Sequence, residues 1–522
     1  MYGLILFQLT AIALLGMFIA RPVYNYCKDA KKLRRFPSVS VAAFTNAWSL
    51  LHQLFHTRTL AVHQAHMKHG KIVRIGPQHI SMATPQAVKD IYGHGSPATK
   101  DNFYGAFAST HLNVSDSQDK GVHTIKRKRF ATAFAQKSIT DLEFWVEEHL
   151  QRLVALLDKK TTLPLKAGEM PQPQDMVDFK STMVYLMYDI MTQMMFSQNP
   201  EFVKRGTTMM TAETVSGELY EADVHKALVG SLKVSATLGW APKWMSTIKA
   251  LTSWHSMHKA GNELRDVTIH LLRNRIRMEE KQMAAGKGPI NDFFSTLLWN
   301  RDNEPLGLEF GELVTEASNL FNAAGENNEI ALTNTIWLLA RNQKVAARLR
   351  EELDANFLED SIVPAYDTVK DLPYLRACID EALRLRPSLP GGLPRVTPQS
   401  GMSVGGEWIE GGTTVSVSTY TVHRDPLIFH DPYEYKPERW LESDTHAMQK
   451  VFLPFSQGGR ACIGRNIAYF EMMLVIATLF RRYELALPKP GWNLNVSETM
   501  SAHTHALPIK IWKRDIVGVN KE

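Results

Sequence analysis

Cysteine is scarce in this chain, and its scarcity excludes two kinds of protein. Only three of the 522 residues are cysteine, at positions 27, 378 and 462. Three cysteines cannot build a disulfide framework, and no second cysteine lies near Cys462 to share a zinc ion with it. The chain also lacks internal repeats, low-complexity tracts and a glycine-rich fingerprint for a flavin or a nicotinamide. Its apolar content is that of an ordinary globular protein.

Excess charge of one sign is nearly absent once the first 35 residues are set aside. The net charge is +6, from 59 basic and 53 acidic residues, and those first residues carry +5 of it. The basicity is therefore local, which argues against a nucleic-acid partner. It follows directly on 19 uncharged residues, Tyr2 to Ala20, a length that can span a bilayer. The order of the two features places the rest of the chain on the cytoplasmic side.

These features divide the chain into three parts. We expect a transmembrane signal anchor over residues 1–20, a basic linker over 21–37 and one large domain over 38–522. A cleaved secretion signal is the alternative interpretation of the first part, but such a signal begins with charge and ends in small residues. The anchor predicts a single-pass protein of the endoplasmic reticulum membrane whose large domain is cytosolic.

The large domain has more helical than strand-like patterns. Residues 72–83 alternate like two strands around Gly76-Pro77, much of 140–350 has helical spacing, and 412–418 and 485–512 carry strand signals. The predicted fold class is therefore mainly α with small β-sheets, as a single large domain after the N-terminal transmembrane helix.

Residues 455–464 carry the most specific pattern, FSQGGRACIG. A cysteine stands in a glycine turn directly before a helical run, Arg465 to Phe480, where the helix dipole and backbone N–H groups favour a thiolate. Arg460 adds a fixed positive charge that suits a carboxylate. A single anionic sulfur beside an arginine suits a heme iron with its propionates. A buried structural cysteine in a helix-capping turn is the alternative.

The stretch resembles the pattern Phe-x-x-Gly-x-Arg-x-Cys-x-Gly of the cytochrome P-450 superfamily, position for position. The resemblance implies the fold of that superfamily and heme b as the cofactor, with the Cys462 thiolate as the axial ligand of the iron. Phe455, Arg460 and Gly464 are then expected to contact the cofactor. The details around the cysteine are similar to membrane-anchored fungal members.

Two further motifs fit the same resemblance. Glu381 and Arg384 lie three apart on one helical face, in a stretch that stops before Pro387. In the family such a pair joins an arginine of a later Pro-Glu-Arg segment, which here contains Arg439. The resemblance therefore implies a network of Glu381, Arg384 and Arg439 that holds the fold around the heme.

Other basic residues resemble partners of the heme propionates. Arg395 follows an apolar loop, and Arg127 closes a segment in which His123 replaces the usual tryptophan. Around Arg127 stand Lys126, Lys128 and Arg129, for which a solvated basic face is an equally good interpretation. Such a face, together with Arg465, could meet an acidic reductase surface.

The segment Glu312 to Ala340 has helical spacing and resembles the long family helix that passes over the heme. Its residues 324–328 read AGENN, so Asn327 and Asn328 occupy the usual acid and alcohol positions. An asparagine cannot act as an acid near neutral pH, although its amide can hydrogen-bond a water. Glu326 is one residue too early, about 100° round the helix. We expect Glu326, Asn327 and Asn328 to be the catalytic residues of proton delivery.

Three function classes follow from the resemblance. The main expectation is a heme-thiolate monooxygenase that inserts one oxygen atom from O2 into a lipophilic secondary metabolite, a terpenoid or a polyketide. Electrons would come from NADPH-cytochrome P-450 reductase, with or without cytochrome b5. The Asn327–Asn328 pair keeps open an isomerase, a dehydratase or an oxidative rearrangement. A heme protein that only senses a ligand is the third class, and the intact thiolate argues against it.

The same resemblance outlines a substrate pocket. Its expected walls are Phe103 to His111, Phe321 to Gly325, Leu389 to Leu393 and Met500 to His505. Within the last loop, His503 and His505 are expected in a surface turn. The alternative is a hydrogen bond from one of them to a polar group of the substrate.

Overall fold

The long helices of the fold run through residues whose apolar side chains follow helical spacing. The computed structural model describes residues 16, 19–108, 111–131, 133–252, 254–300, 302, 304–357 and 361–515. The anchor predicted over residues 1–20 lies almost entirely outside this set. No helix within the described ranges is long and apolar enough to cross a membrane.

Helices make up most of the described chain, as the sequence predicts. The α-helices are Ala47–Leu54, Arg58–His69, Pro85–Tyr92, Lys120–Phe130, Gln136–Thr140, Glu143–Asp158, Phe179–Phe196, Phe202–Arg205, Val224–Leu238, Met245–Leu251, Ser256–Ala284, Ser295–Leu298, Phe310–Arg341, Gln343–Asn356, Tyr366–Val369, Pro373–Leu385, Thr419–Val422, His446–Val451 and Arg465–Arg482. Short 3-10 helices occupy Leu33–Arg35, Ser40–Ala43, Asn102–Ala106, Pro173–Asp175, Pro437–Leu441 and Gly458–Arg460.

The strands are short and form small sheets. They are β1 Ile72–Gly76, β2 His79–Met82, β3 Thr99–Lys100, β4 Met176–Asp178, β5 Met209–Glu213, β6 Leu219–Asp223, β7 Arg395–Val396, β8 Met402–Val404, β9 Glu407–Ile409, β10 Thr414–Val417, β11 Tyr483–Ala486, β12 Val496–Glu498, β13 Ala502–Thr504 and β14 Pro508–Lys513. One sheet has the order β1-β2-β10-β7-β3 and another the order β11-β14-β4, while β5-β6, β8-β9 and β12-β13 are two-stranded. The predicted fold class, mainly α with small sheets, is confirmed.

Two details show where sequence patterns worked and where they did not. The antiparallel pair β1–β2, with Ile72 opposite Met82, confirms the strands predicted around Gly76-Pro77. The hairpin β5–β6 lies inside the stretch predicted to be largely helical. Its strands alternate, and Gly217 turns between them with a φ of +94°. Strand pairing therefore overrides the helical pattern there.

The helix Phe310–Arg341, here called the central helix, positions the site. It packs against five other described helices, Phe179–Phe196, Ser256–Ala284, Gln343–Asn356, Pro373–Leu385 and Arg465–Arg482. Its residues 328–340 are all buried, which is the pattern of a helix surrounded by protein on every side. The last of these, Arg465–Arg482, is here called the C-terminal helix. The central helix and the loop before the C-terminal helix both line one interior cavity.

Candidate functional site

Residues Phe455–Gly464, here called the cysteine loop, turn tightly before the C-terminal helix. The amide of Cys462 donates to the carbonyl of Phe455 at 2.9 Å, which closes the loop. Gly458 has a φ of +67°, and a Cβ there would lie 2.2 Å from the carbonyl oxygen of Tyr92. Only glycine fits this turn, because a side chain would collide with backbone in a conformation that L residues rarely adopt. The glycines thus seat the loop against the helix Pro85–Tyr92.

The Cys462 side chain opens into the cavity, although protein surrounds it on the other sides. Burial raises the pKa of its thiol, while a backbone hydrogen bond from Gly464 and the charges of Arg127 and Arg465 oppose that shift. A thiolate here therefore calls for a further positive partner on the cavity side, as an iron ion would be.

The cavity has a volume of about 480 Å³ and lies between the cysteine loop and the central helix. Cys462, Ile463 and Gly464 line it from one element, and Ala323, Ala324, Asn327 and others line it from the other. Apolar side chains form much of the remaining surface, among them Phe107, Leu389, Leu393 and Met500. The loops expected to form the pocket therefore do contribute to it.

Five basic side chains line the same cavity beside the cysteine loop. Arg127 and Arg460 donate to backbone carbonyls 2.7 and 2.6 Å away, and Arg395 donates to the Tyr104 hydroxyl at 3.0 Å. Lys100, which the sequence analysis did not single out, donates to a carbonyl as well. These hydrogen bonds hold the cationic side chains in place. Because the accepting oxygens are uncharged, the bonds do not neutralise the positive charges.

His123 completes this group, which we call the cationic cluster: Lys100, His123, Arg127, Arg395 and Arg460. Burial and the charges of Arg395 and Arg460 hold the pKa of Lys100 well below its usual value. Burial and Arg395 likewise lower the pKa of Arg460 to about 10, and burial and Arg460 lower the pKa of His123 to about 4. These positive groups disfavour one another in a buried place, so an anion with two carboxylates would relieve them.

The central helix places its unusual residues at the cavity. Asn327 donates from Nδ2 to the carbonyl of Ala323 at 2.9 Å. The Nδ2 of Asn328 donates to a carboxylate oxygen of Glu471 on the C-terminal helix. Glu471 is fully buried, and its burial raises its pKa to about 8. The amide nitrogen of Asn328 is therefore engaged by Glu471, although the residue lines the cavity.

Glu326 also lines the cavity, in spite of its offset from the usual acid position. Only 3% of the residue is exposed, and burial and the charge of Glu329 raise its pKa to about 8. Its Oε1 lies 3.1 Å from Nε2 of His503, whose own pKa burial lowers to about 4. Near neutral pH the two side chains therefore form a neutral pair that retains one titratable proton.

His503 corrects one expectation. It is 7% exposed and lies in β13, so the predicted surface turn is wrong for this residue. Its Nε2 lies 2.9 Å from the Thr499 hydroxyl in addition to its contact with Glu326. His505 does lie on the exposed side, where its ring bonds Ser497 at 2.7 Å. β13 ends at Thr504, so His505 lies outside the strand and does not share the buried face of His503.

Glu381 is the centre of a fully buried ionic network. Its Oε1 accepts from Arg384 at 2.8 Å and from Arg439 at 3.0 Å. Its Oε2 accepts from Arg384 at 2.8 Å and from the Trp440 indole at 3.0 Å. The backbone N–H of Lys436 adds a bond of 3.0 Å to Oε1. Each carboxylate oxygen is thus satisfied by several donors.

His423 connects this network to the cysteine loop, and no local sequence pattern indicates this role. Its Nδ1 lies 3.0 Å from the Arg384 carbonyl, so it donates there, and its Nε2 accepts from the Leu453 amide at 2.9 Å. The imidazole is fully buried, and burial lowers its pKa to about 3. A neutral imidazole with a fixed tautomer therefore ties residue 384 to residue 453, two residues before the cysteine loop.

The predicted basic face around Lys126 is wrong in one respect. Lys126 is 8% exposed, and its Nζ lies 2.8 Å from both Glu312 and Glu316. Arg129 also pairs with Glu312, at 2.9 Å. Two glutamates at i and i+4 on the central helix draw Lys126 inward, whereas Lys128 stays exposed.

Comparisons with known proteins agree with this geometry. The chain matches the family model described as cytochrome P-450 over residues 42–511. Benzoate 4-monooxygenase bphA of Aspergillus niger is 31% identical over 490 residues, which cover 92% of each protein. Cytochrome P-450 monooxygenase poxM of Penicillium oxalicum is 27% identical over 91% of this chain and 87% of its own. A crystal structure of a cytochrome P-450 is similar with a TM-score of 0.71 at 19% identity, covering 92% of this chain and 99% of that one.

Proposed function

The chain belongs to the cytochrome P-450 family, whose members are oxidoreductases that use heme with a cysteine thiolate ligand, and from that premise we propose a specific function. It is a monooxygenase that inserts one oxygen atom from O2 into a lipophilic substrate, with electrons from NADPH through a flavoprotein reductase. The observation that carries the proposal is the cysteine loop, which opens into a cavity beside a cationic cluster.

The residues of this chain divide the task of holding the cofactor. Cys462 would supply the thiolate that binds the heme iron, and Arg127, Arg395, Arg460 and His123 would bind the propionates. Lys100 adds a fifth basic side chain to the same wall. The cluster suits the two heme carboxylates. Its basic side chains are hydrogen-bonded to uncharged oxygens, and they lower one another's pKa values as long as no anion is bound. When bound, heme supplies the activation of dioxygen.

Phe455 and Gly464 frame the ligand without charge. The carbonyl of Phe455 accepts from the Cys462 amide, and Gly464 donates its backbone N–H toward the sulfur. Backbone donors lower the basicity of a thiolate and fix its position. These two residues would therefore orient the sulfur, while the C-terminal helix that follows favours its negative charge.

Proton delivery is the second task, and we assign it to Glu326 with Asn327 and Asn328. Glu326 lines the cavity and retains a titratable proton near neutral pH, since its pKa is raised to about 8. The two asparagines cannot donate as acids, and Asn328 is held by Glu471. Glu326 would hold the proton and hand it to water in the cavity.

The same asparagines support a second candidate function. The acid and alcohol positions of the family pattern hold Asn327 and Asn328, and the amide of Asn328 points to Glu471. An isomerase or a dehydratase would tolerate this arrangement, because neither reaction needs protons delivered to dioxygen. Turnover with and without NADPH and reductase separates the two functions. Product formed only with both supports the monooxygenase, and product formed without them supports the alternative.

Heme ligation has its own test. Cys462→His should abolish the red-shifted Soret band of the reduced carbon monoxide complex, since that shift requires a thiolate opposite the gas. Cys27→His, at an exposed cysteine, is the matched control and should keep the band. A Cys462→His protein that retains the band would remove Cys462 from the ligand role.

Substrate class and location complete the proposal. We infer a fungal secondary metabolite, a terpenoid or a polyketide, supported by the fungal relatives and the apolar cavity walls. Residues 1–20 would anchor the protein in the endoplasmic reticulum membrane and 21–37 would link them to a cytosolic catalytic domain over 38–522. Exposed Lys128 and Arg465 would face the reductase, with or without cytochrome b5.

The anchor is tested by removal. Protein lacking residues 1–35 should leave microsomes partly or wholly while still incorporating heme. Membrane retention that is unchanged after truncation would contradict the anchor. A truncated protein without heme would show that these residues belong to the catalytic fold.

A further inference from the structure

The central helix turns a row of polar side chains toward the cavity. Five of them, at positions 315, 318, 319, 322 and 326, share one helical face, and Asn327 lies about 100° round the helix from Glu326. All of them line the cavity: Thr315, Ser318, Asn319, Asn322, Glu326 and Asn327. Apart from the cationic cluster, apolar side chains form much of the remaining lining, with Phe107, Leu389 and Met500 among them. The six polar residues of the central helix are here called the polar wall.

Three acceptor oxygens of this wall are buried without a partner among the described residues. They are Oδ1 of Asn322, Oε1 of Glu326 and Oδ1 of Asn327. The amide nitrogens of both asparagines are already engaged. Asn322 donates to the Ser318 hydroxyl at 3.2 Å, and Asn327 donates to the Ala323 carbonyl at 2.9 Å. Each amide therefore keeps its nitrogen on the helix and leaves its oxygen without a donor.

Glu326 is the most enclosed of the three. Its carboxyl group has a hydrogen bond with Ser501, whereas its Oε1 lies 3.1 Å from the His503 ring without the alignment of a hydrogen bond. A buried acceptor without a donor is unfavourable, and folded proteins rarely leave several side by side. Three in one wall of a ligand-sized cavity indicate that the missing donors come with a ligand.

We propose that the polar wall recognises hydroxyl or amine donors along one edge of an otherwise lipophilic substrate. This inference rests on the proposed function and narrows its substrate class. The substrate then already carries oxygen or nitrogen before it enters, and the apolar walls bind the rest of its body. A substrate with a carboxylate on that edge should bind poorly, because its oxygens are acceptors and would face the acceptor oxygens of the polar wall.

The test compares ligands that differ only in the donor, using the full-length heme-loaded protein. The probes are 2-naphthol, 2-methoxynaphthalene and 2-naphthoate, and dissociation constants are measured by calorimetry at pH 7. We expect 2-naphthol to bind about tenfold more tightly than 2-methoxynaphthalene, the usual scale for one buried hydrogen bond. We expect 2-naphthoate to bind most weakly.

Variants test whether the polar wall causes the preference for 2-naphthol over 2-methoxynaphthalene. Asn322→Leu and Asn327→Leu should each reduce the ratio between the first two probes toward one. Asn334→Leu is the matched control, because Asn334 lies on the same helix, donates to Ile330 at 2.9 Å and also has an unpaired Oδ1. It is not among the cavity-lining residues, so its replacement should leave the ratio unchanged.

Several outcomes would overturn the inference. They are equal binding of naphthol and its methyl ether, a ratio that survives both wall variants, tightest binding of naphthoate, or no binding of any probe. The proposed function is checked on the same preparation through the reduced carbon monoxide spectrum and turnover with NADPH and reductase. A protein that passes these checks but fails to discriminate between the probes loses only this inference.

Discussion

Glu381 and Glu471 are both fully buried carboxyl groups, yet the protein surrounds them in opposite ways. Glu381 accepts from two arginines, an indole and a backbone amide. Glu471 accepts only from the Asn328 amide through one oxygen, and its Oε1 has no partner in the described part of the chain. Burial accordingly raises the pKa of Glu471 to about 8.

This difference in hydrogen-bond partners distinguishes the two sides of the cavity. On the cysteine side, the Glu381 network matches its charges and satisfies both carboxylate oxygens, which fixes geometry. On the central-helix side, Glu326, Glu329 and Glu471 are buried with raised pKa values of about 8, 7 and 8 and with unpaired oxygens. Protons can therefore bind and leave on that side at an accessible pH, whereas the cysteine side resists such changes.

The largest effect is expected from Glu381→Ala. Removing the carboxylate leaves Arg384 and Arg439 buried without their counter-charge, which costs about 3–5 kcal/mol of folding free energy. The measurement is denaturant unfolding, together with the yield of heme-loaded protein. Glu201→Ala is the control, since its pairing with Lys204 is exposed and contributes at most about 0.5 kcal/mol. Equal stability of the two variants would contradict the role given to the network.

Gly458→Ala tests the cysteine side at its turn. The new Cβ would lie 2.2 Å from the Tyr92 carbonyl at a φ of +67°, so the loop must shift, at a cost of about 3 kcal/mol. Heme content and thermal unfolding report the loss. Gly459→Ala is matched, because its Cβ would meet no described atom within 4 Å. The comparison fails if Gly459→Ala is as damaging as Gly458→Ala.

Glu471→Gln tests the central-helix side through pH. The folded pKa of about 8 exceeds the ordinary value of 4.5, so the folded state keeps a proton that the unfolded chain releases between those pH values. Stability should therefore fall as pH rises through that window, and the glutamine should remove this loss. We expect the variant to gain on the order of 2 kcal/mol at pH 8.5 and almost nothing at pH 4.5.

Thermal unfolding at the two pH values measures this gain. Glu442→Gln, at an exposed glutamate, is the control and should change stability little at either pH. A gain for Glu471→Gln that is the same at pH 4.5 and 8.5 would show that proton release from Glu471 is not its cause.

The smallest effect is expected from restoring the usual pair with Asn327→Asp and Asn328→Thr. The change removes the hydrogen bond that the Asn328 amide donates to Glu471, and it places an acid beside Glu326. If Glu326 already delivers protons, the product should stay the same and the ratio of NADPH consumed to product formed should change only modestly. Product analysis decides, and a new product at unchanged heme content would favour the rearrangement chemistry instead.

Local patterns could be predicted from the sequence because each depends on neighbouring residues. The cysteine loop, the Glu381–Arg384 spacing and the central helix are of this kind. The partner of Asn328, by contrast, is Glu471, 143 residues away, and no periodicity indicates such a contact. Lys126 shows the same limit, since only the packed fold reveals the two glutamates that draw it inward.

The seat of Gly458 beneath Tyr92 has a consequence for biosynthesis. The two residues are separated by most of the chain, so the ribosome finishes the helix Pro85–Tyr92 roughly tens of seconds before the cysteine loop emerges. The loop then closes onto a segment that was synthesised much earlier. If Cys462 is the ligand of the iron, a nascent chain that stalls before residue 462 would lack the thiolate for heme capture.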